Sequence, residues 1–216
     1  MFFRTDEKVF EKTPDLMIGL VVAEHIDNTG KNARIADLLK TEVLKQQELL
    51  KEVSLKSLED LAVYHEEMRA LGINPNKYPV SVEALLTRCV KRGELPLLTD
   101  AVNAGNYISL KYRMPVGAHD IDSLTGDLEV RMAEEADVQN PENTLDGDAL
   151  TEGETVYISG NTVRTRRYVW RQTGAGRLDE SAKNIVFPID GNVRNEEKLN
   201  EALEELAALL EEELGC

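Results

Sequence analysis

Cysteine is nearly absent from this chain: Cys89 and Cys216 are the only two. Two thiols build no disulfide framework, and neither stands at a metal-ligand spacing, so a small disulfide-stapled scaffold and a zinc module are both excluded. Long apolar runs are missing too. The longest, Leu16 to Ala23, falls far short of the roughly 20 residues that a membrane span needs. The N-terminus has Asp6 and Glu7 early and no apolar segment ahead of a small-residue cleavage site. A signal peptide is therefore not expected, no membrane partner is expected, and the cytoplasm is the expected compartment. A nucleophile elbow, a kinase signature and a complete phosphate-binding loop are likewise lacking, and neither a cofactor nor a metal is expected. Asp146-Gly147-Asp148 is a fragment of a calcium loop without its downstream glutamate. Thr173 to Arg177 has two glycines but no Lys-Ser/Thr, and reads as a flexible connection.

Basic residues are also in short supply. There are 25 lysines and arginines against 40 acidic residues, for a net charge of −15. Affinity for phosphate backbones comes largely from Lys and Arg, so a general nucleic-acid-binding protein is excluded. The excess is unevenly spread: Asn195 to Leu214 holds eight glutamates and one lysine, nearly half of it. A local basic site remains compatible with that distribution.

What is present is an ordinary globular sequence of 216 residues, 42% hydrophobic, enough for one good core. Leu16 to Ala23 is apolar throughout and predicts a strand buried on both faces. Helical spacing follows at Ile35, Leu38, Leu39 and Leu50, with Asn32 as cap. Ser57 and Asp60 form a capping-box pattern before a second helix that Gly72 closes. A third helix runs from Ser81 to Gly93. His65 shares a stripe with Leu61 and Met68, and Cys89 lies on an apolar face, so both read as core residues. After Leu128 the pattern changes. Thr155 to Ser159 alternates, Gly160-Asn161 signals a hairpin, and Thr162 to Gln172 reads as one long strand. Glu134 to Glu154 reads as a loop, Asn184 to Ile189 as another strand, and Asn195 caps an acidic helix with a complete apolar stripe. Helices early, strands late and a closing helix predict an α+β class with segregated layers.

Pro79 to Ala133 contains, in order, an amphipathic helix, an Asn-Tyr helix, a proline turn ending in Asp, and Gly-x-x-x-Val-Arg-x-Ala. With Asn106-Tyr107, Leu110, Pro115, Asp120, Gly126, Val130, Arg131 and Ala133 as its marks, this segment resembles the B3/B4 domain of bacterial phenylalanyl-tRNA synthetase beta subunits. A weaker likeness continues to about Asp190. Arg166-Arg167-Tyr168-Val169-Trp170-Arg171-Gln172 resembles the free-standing relatives of that domain. The resemblance implies a three-layer β/β/α sandwich. It further implies one domain over residues 1–216, with the likeness closest over 79–190 and the acidic helix 195–214 packed on it. In the full synthetase this domain holds a pocket that hydrolyses tyrosine wrongly joined to the phenylalanine tRNA. Here Gly105 stands where that pattern has Thr, Gly117 where it has His, and Phe187 near the place of its Glu, which leaves the editing activity unsupported.

The candidate ligand-binding residues are Asn106, His119, Asp120, Arg131, Arg167, Trp170, Arg171 and Gln172; no catalytic residue is assigned. An unbroken strand from Thr162 to Gln172 would put Arg167 and Arg171 on one face and Arg166, Tyr168 and Trp170 on the other. Paired arginines converge on a carboxylate or phosphate, and the aromatic rings stack on a base. One reading is a pocket for an anionic, ring-bearing ligand such as an aminoacyl nucleotide end. The other is a solvated strand face whose arginines pair with glutamates. Asp120 and Asp122 fit a turn in which they accept from backbone amides; His119 beside them fits a metal ligand or an acid–base pair as well as it fits that turn. The expected function is binding of tRNA or an aminoacyl-tRNA end, with hydrolysis of a mischarged end left open. The alternatives are a non-catalytic site for an amino acid, nucleotide or other small anionic ligand, and a partner protein docking on the acidic helix.

Overall fold

Most helices follow the apolar periodicity in the computed structural model, which describes residues 2–216. In chain order the elements are β1 (Phe3–Thr5), α1 (Glu7–Lys12), β2 (Leu16–Ala23), α2 (Ala33–Leu50), α3 (Glu59–Ala70), α4 (Ser81–Arg92), α5 (Asp100–Tyr112), β3 (His119–Asp120), β4 (Leu128–Met132), α6 (Glu135–Val138), β5 (Thr155–Ser159), β6 (Thr162–Arg166), β7 (Arg171–Gln172), β8 (Ile185–Asn192) and α7 (Glu196–Leu214). One sheet has the order β1-β4-β5-β6-β7 and the other β2-β8-β3. β8 is buried along its whole length because it is the central strand of the smaller sheet, antiparallel to both neighbours.

The two sheets face each other. His119 of β3 stacks on Tyr157 of β5 with ring centroids 5.8 Å apart, and the Tyr157 hydroxyl donates to Asp190 Oδ1 of β8 at 2.5 Å. The third layer is helical. α7 lies so close to β2 that a methyl added at Gly19 would overlap the Leu203 side chain. α5 packs against α7 and α2, and α2 against α4. The result is the three-layer β/β/α sandwich of the α+β class. The terminal helix buries Leu199, Ala202, Leu206, Leu210 and Leu214, which occupies its apolar stripe within the domain.

Several local expectations are corrected. β2 is not buried on both faces: Leu20 and Val22 are exposed. Ser57 does not cap α3; its hydroxyl donates to Ser54 O, and Asp60 instead accepts from Arg113 and Lys198. Asn195 makes no side-chain cap to α7, because its Oδ1 accepts from Asn192 N. Glu134 to Glu154 is more than a loop, since α6 forms there with a capping box at Glu134 and Asp137, and Asn143 is fully buried. Asn32 does cap α2, accepting from Ile35 N at 2.9 Å.

The largest correction concerns Thr162 to Gln172. β6 stops at Arg166, residues 167–170 turn, and β7 returns to pair Gln172 with Thr165 and Arg171 with Arg166. Arg167 and Tyr168 take φ of 51° and 61°, a left-handed conformation uncommon for residues with side chains. Tertiary bonds hold it: Tyr168 N donates to Thr155 O, and Ser81 N to Val169 O. At its base the Arg166 guanidinium is fully buried. It is satisfied by Glu154 at 2.6 and 3.0 Å and by the carbonyls of Asn143, Asp148 and Ala149. A buried cation persists only when paired and hydrogen-bonded in this way.

Candidate functional site

The turn after β6, the segment from Pro115 to His119, and helices α4 and α5 enclose a cavity of about 1090 Å³. α4 contributes Ser81, Ala84, Leu85 and Arg88; α5 contributes Val102, Asn106 and Ser109. Tyr157 and Thr165 come from the larger sheet, Pro188 and Asp190 from β8, and Tyr168 to Gln172 from the turn and β7. Gln172 Nε2 donates to Ala118 O at 3.0 Å, which ties β7 to the Pro115–His119 segment. Ser109 holds that segment from the other side by donating to Met114 O.

At the inner end lies His119. It is 1% exposed, and neither ring nitrogen has a hydrogen-bond partner among the described residues. Burial, aided by the Arg164 guanidinium, pushes its imidazole down to about 3, so the ring is neutral. Its position depends on Gly117. A Cβ there would stand 3.3 Å from His119 Nε2 and 3.0 Å from Pro188 Cγ. The imidazole thus borders the space into which a side chain at 117 would project.

Beside His119 lies a network of tyrosines and carboxyls. Asp190 accepts from Tyr157. Glu67 of α3 accepts from Asn192 Nδ2 at 2.7 Å and from the Tyr168 hydroxyl at 3.4 Å. The Tyr64 hydroxyl donates to Asp190 O at 3.1 Å. Desolvation pushes both the Asp190 and the Glu67 carboxyl up to about 7. Among the described residues, no Lys or Arg bonds to either group.

The exposed part of the lining differs in character. Arg88, Arg171 and Arg177 all line it and are solvent-exposed. Arg171 pairs with Asp146 at 2.6 Å, where both side chains are half or more exposed. Arg88 and Arg177 have no acidic partner within 4 Å among the described residues, unlike the paired Arg113, Arg131 and Arg194. Trp170 lines the same side, its ring 4.9 Å from that of Tyr78. In a chain of net charge −15, the charged lining comprises three arginines against Glu180 and Asp190.

Of the residues expected from sequence, Asn106, His119, Trp170, Arg171 and Gln172 line this cavity. The other three lie elsewhere. Asp120 caps a 3-10 turn by accepting from Asp122 N at 3.1 Å. Arg131 forms a two-pronged pair with Asp137 at 2.6 and 3.0 Å. Arg167 packs 3.8 Å from the Tyr78 ring centroid and 4.9 Å from that of Trp170, and pairs with Asp148 and Glu154. Arg167 and Arg171 therefore do not converge on one ligand, because the turn separates them.

Sequence reasoning missed Arg88, Arg177, Glu67, Tyr157 and Asp190. Arg88, on the polar face of an amphipathic helix, and Arg177, after a glycine-rich stretch, look like ordinary surface. Nor is the Thr173–Arg177 segment a loose connection. Thr173 bonds to Val163 O and Arg164 O, Arg164 donates to Ala175 O, and Gly176 fits where any Cβ would meet the Arg164 carbonyl.

Residues 63–215 match the family model of the B3/4 domain. The chain belongs to the B3/4 domain family. The matched span takes in the whole cavity except Thr29 and Gly30, and it includes α7. A search of curated proteins finds no match to this B3/4 domain. None of its helices, among the described residues, is long and apolar enough to cross a membrane. No cluster of three or more metal-ligating side chains is found among those residues.

Proposed function

We propose that this B3/4 domain binds the aminoacylated end of a nucleotide chain, as tRNA presents it, in the cavity between α4, α5 and the β6–β7 turn. The observation that carries the reading is the polarity of the cavity from end to end. Unpaired His119 nitrogens and the Asp190 carboxyl lie inside, and exposed guanidiniums lie at the mouth. Buried polar atoms without partners are costly, and a ligand that bonds to them recovers that cost. Guanidiniums suit phosphate through charge and their planar fork, and Trp170 offers a ring face for a base. The volume of about 1090 Å³ is just above the range of small-ligand cavities, roughly 300–1,000 Å³, so it accommodates more than a free amino acid. The domain's overall acidity favours a ligand that engages the cavity alone.

His119 supports a second, catalytic step on the same ligand. A neutral imidazole with two free nitrogens is suited to hold a water beside a bound ester. The binding test is a titration with tRNA carrying its amino acid through a stable amide, against the same tRNA uncharged. Preference for the charged form is expected. Equal affinity for both would end the reading, and stabilisation by free amino acids or nucleotides but not by tRNA would replace it with a small-ligand site. The catalytic step is tested by deacylation of mischarged tRNA, with His119→Gln expected to abolish any rate while leaving amide-linked tRNA bound.

A further inference from the structure

One buried carboxyl lines the cavity and a second lies behind it, and among the described residues no Lys or Arg bonds to either. Asp190 is 3% exposed and Glu67 5%. Asp190 lines the cavity and is held by the Tyr157 hydroxyl. Glu67 lies behind it, held by Asn192 and reached through the Tyr168 hydroxyl. Elsewhere the deeply buried acids are compensated: Asp137 by Arg131 and Glu154 by Arg166, Glu42 by Lys45, and Asp100 by the backbone amides of Gly30, Lys31 and Asn32. The exception falls where the wall of the fold opens into a cavity. A second feature there also points to a ligand. The His119 ring, stacked on the same Tyr157 that bonds to Asp190, leaves both nitrogens unpartnered.

An uncompensated carboxylate in such a place is strongly disfavoured, so the group retains its proton until a positive charge arrives. Neutral His119 supplies none. We infer that Asp190, backed by Glu67, is the acceptor for a protonated amine of the bound ligand, so that the cavity selects ligands with a free ammonium group over their N-acylated forms. On binding, the Asp190 carboxyl loses its proton to solvent and the resulting carboxylate accepts a hydrogen bond from the ammonium. This inference rests on the cavity being the ligand site proposed above, and it specifies the chemistry of the ligand's buried end.

The test uses a 3′-aminoacylamino-3′-deoxyadenosine with a free α-amine and its N-acetyl derivative, titrated calorimetrically into the full chain at about pH 6, where the Asp190 carboxyl holds its proton. The free amine is expected to bind roughly tenfold or more tightly than the acetylated compound, the range of a hydrogen bond to a charged group. Asp190→Asn should bring the two affinities together by weakening only the free amine. Repeating the titration in two buffers of different ionisation enthalpy needs no variant: about one proton should be released with the free amine and none with the acetylated form. Equal affinities in the parent, or tighter binding of the acetylated compound, would overturn the inference and leave the proposed function standing. Absence of binding by both, together with no preference for charged tRNA, would remove the two together.

Discussion

Asp190→Asn should change how the stability of this domain depends on pH, and the size of the change follows from the groups around the cavity. The Asp190 carboxyl is raised from 3.8 to about 7 and that of Glu67 from 4.5 to about 7. A raised folded value means a contribution fully present below the unfolded value and lost as pH climbs through about 7. His119 acts in the opposite sense. Lowered from 6.5 to about 3, it contributes stability above 6.5 that is lost as pH falls. Between about pH 5 and 6.5, the folded chain holds two carboxyl protons at these sites and the unfolded chain one imidazole proton. Each net proton is worth about 1.4 kcal/mol per pH unit. These groups therefore tilt the parent's stability downward by about 1.4 kcal/mol per unit, or about 2 kcal/mol over the window. Asparagine at 190 still accepts from Tyr157 but holds no proton, so one carboxyl then balances one imidazole and the tilt vanishes. Urea unfolding at half-unit steps, comparing extrapolated free energies of parent and variant, reads the difference directly. If the variant keeps the parent's slope, Asp190 is ionised in the folded state and the account of the cavity floor is wrong.

Arg166→Met should cost about 3–5 kcal/mol in unfolding free energy, since it removes the two-pronged partner of buried Glu154, leaving it the longer Arg167 contact, and leaves three carbonyls without their donor. Arg171→Ala, whose pair with Asp146 is exposed, should change stability by no more than about 1 kcal/mol in the same assay. The double variant Arg88→Ala/Arg177→Ala should unfold as the parent does but bind amide-charged tRNA more weakly. Its log affinity should fall less steeply with log salt, by about 1.4 in slope for two lost single-strand phosphate contacts; an unchanged slope would place phosphate elsewhere. Gly117→Ala brings a methyl to 3.0 Å from Pro188 Cγ and 3.3 Å from His119 Nε2 and should lower both the affinity for charged tRNA and the melting temperature, readable by titration and thermal unfolding of one preparation; an unchanged affinity would place the ligand away from His119.

Residues 162–172 mark the boundary between what local pattern reveals and what it hides. The start of β6 and its hairpin to β5 were legible from alternation and Gly160-Asn161. The turn at 167–170 was not, because the bonds that hold it come from Thr155, Glu154 and Ser81. The candidate site divides in the same way. His119 and Trp170 drew notice as residue types in a suggestive local setting. Asp190 and Arg88 did not, since a lone Asp in a strand and a lone Arg on a helix become informative only when opposed by something distant.

The sequence by itself determined the period of the main helices and of β5, the turn glycines, the cap at Asn32, the uneven distribution of charge and, through an ordered set of marks from Pro79 to Ala133, the kinship. These depend on neighbours within a few positions along the chain, or on order alone. Only the tertiary structure decided which arginines are neutralised, which carboxyls are left without a cation, and where the space for a ligand lies. Pairing and desolvation are set by groups brought together from far apart in the chain: Tyr157 meets Asp190 across 33 residues and Gln172 meets Ala118 across 54. No local pattern encodes a contact of that range, and the buried, low-dielectric surroundings that shift Asp190 and His119 exist only once the layers have closed.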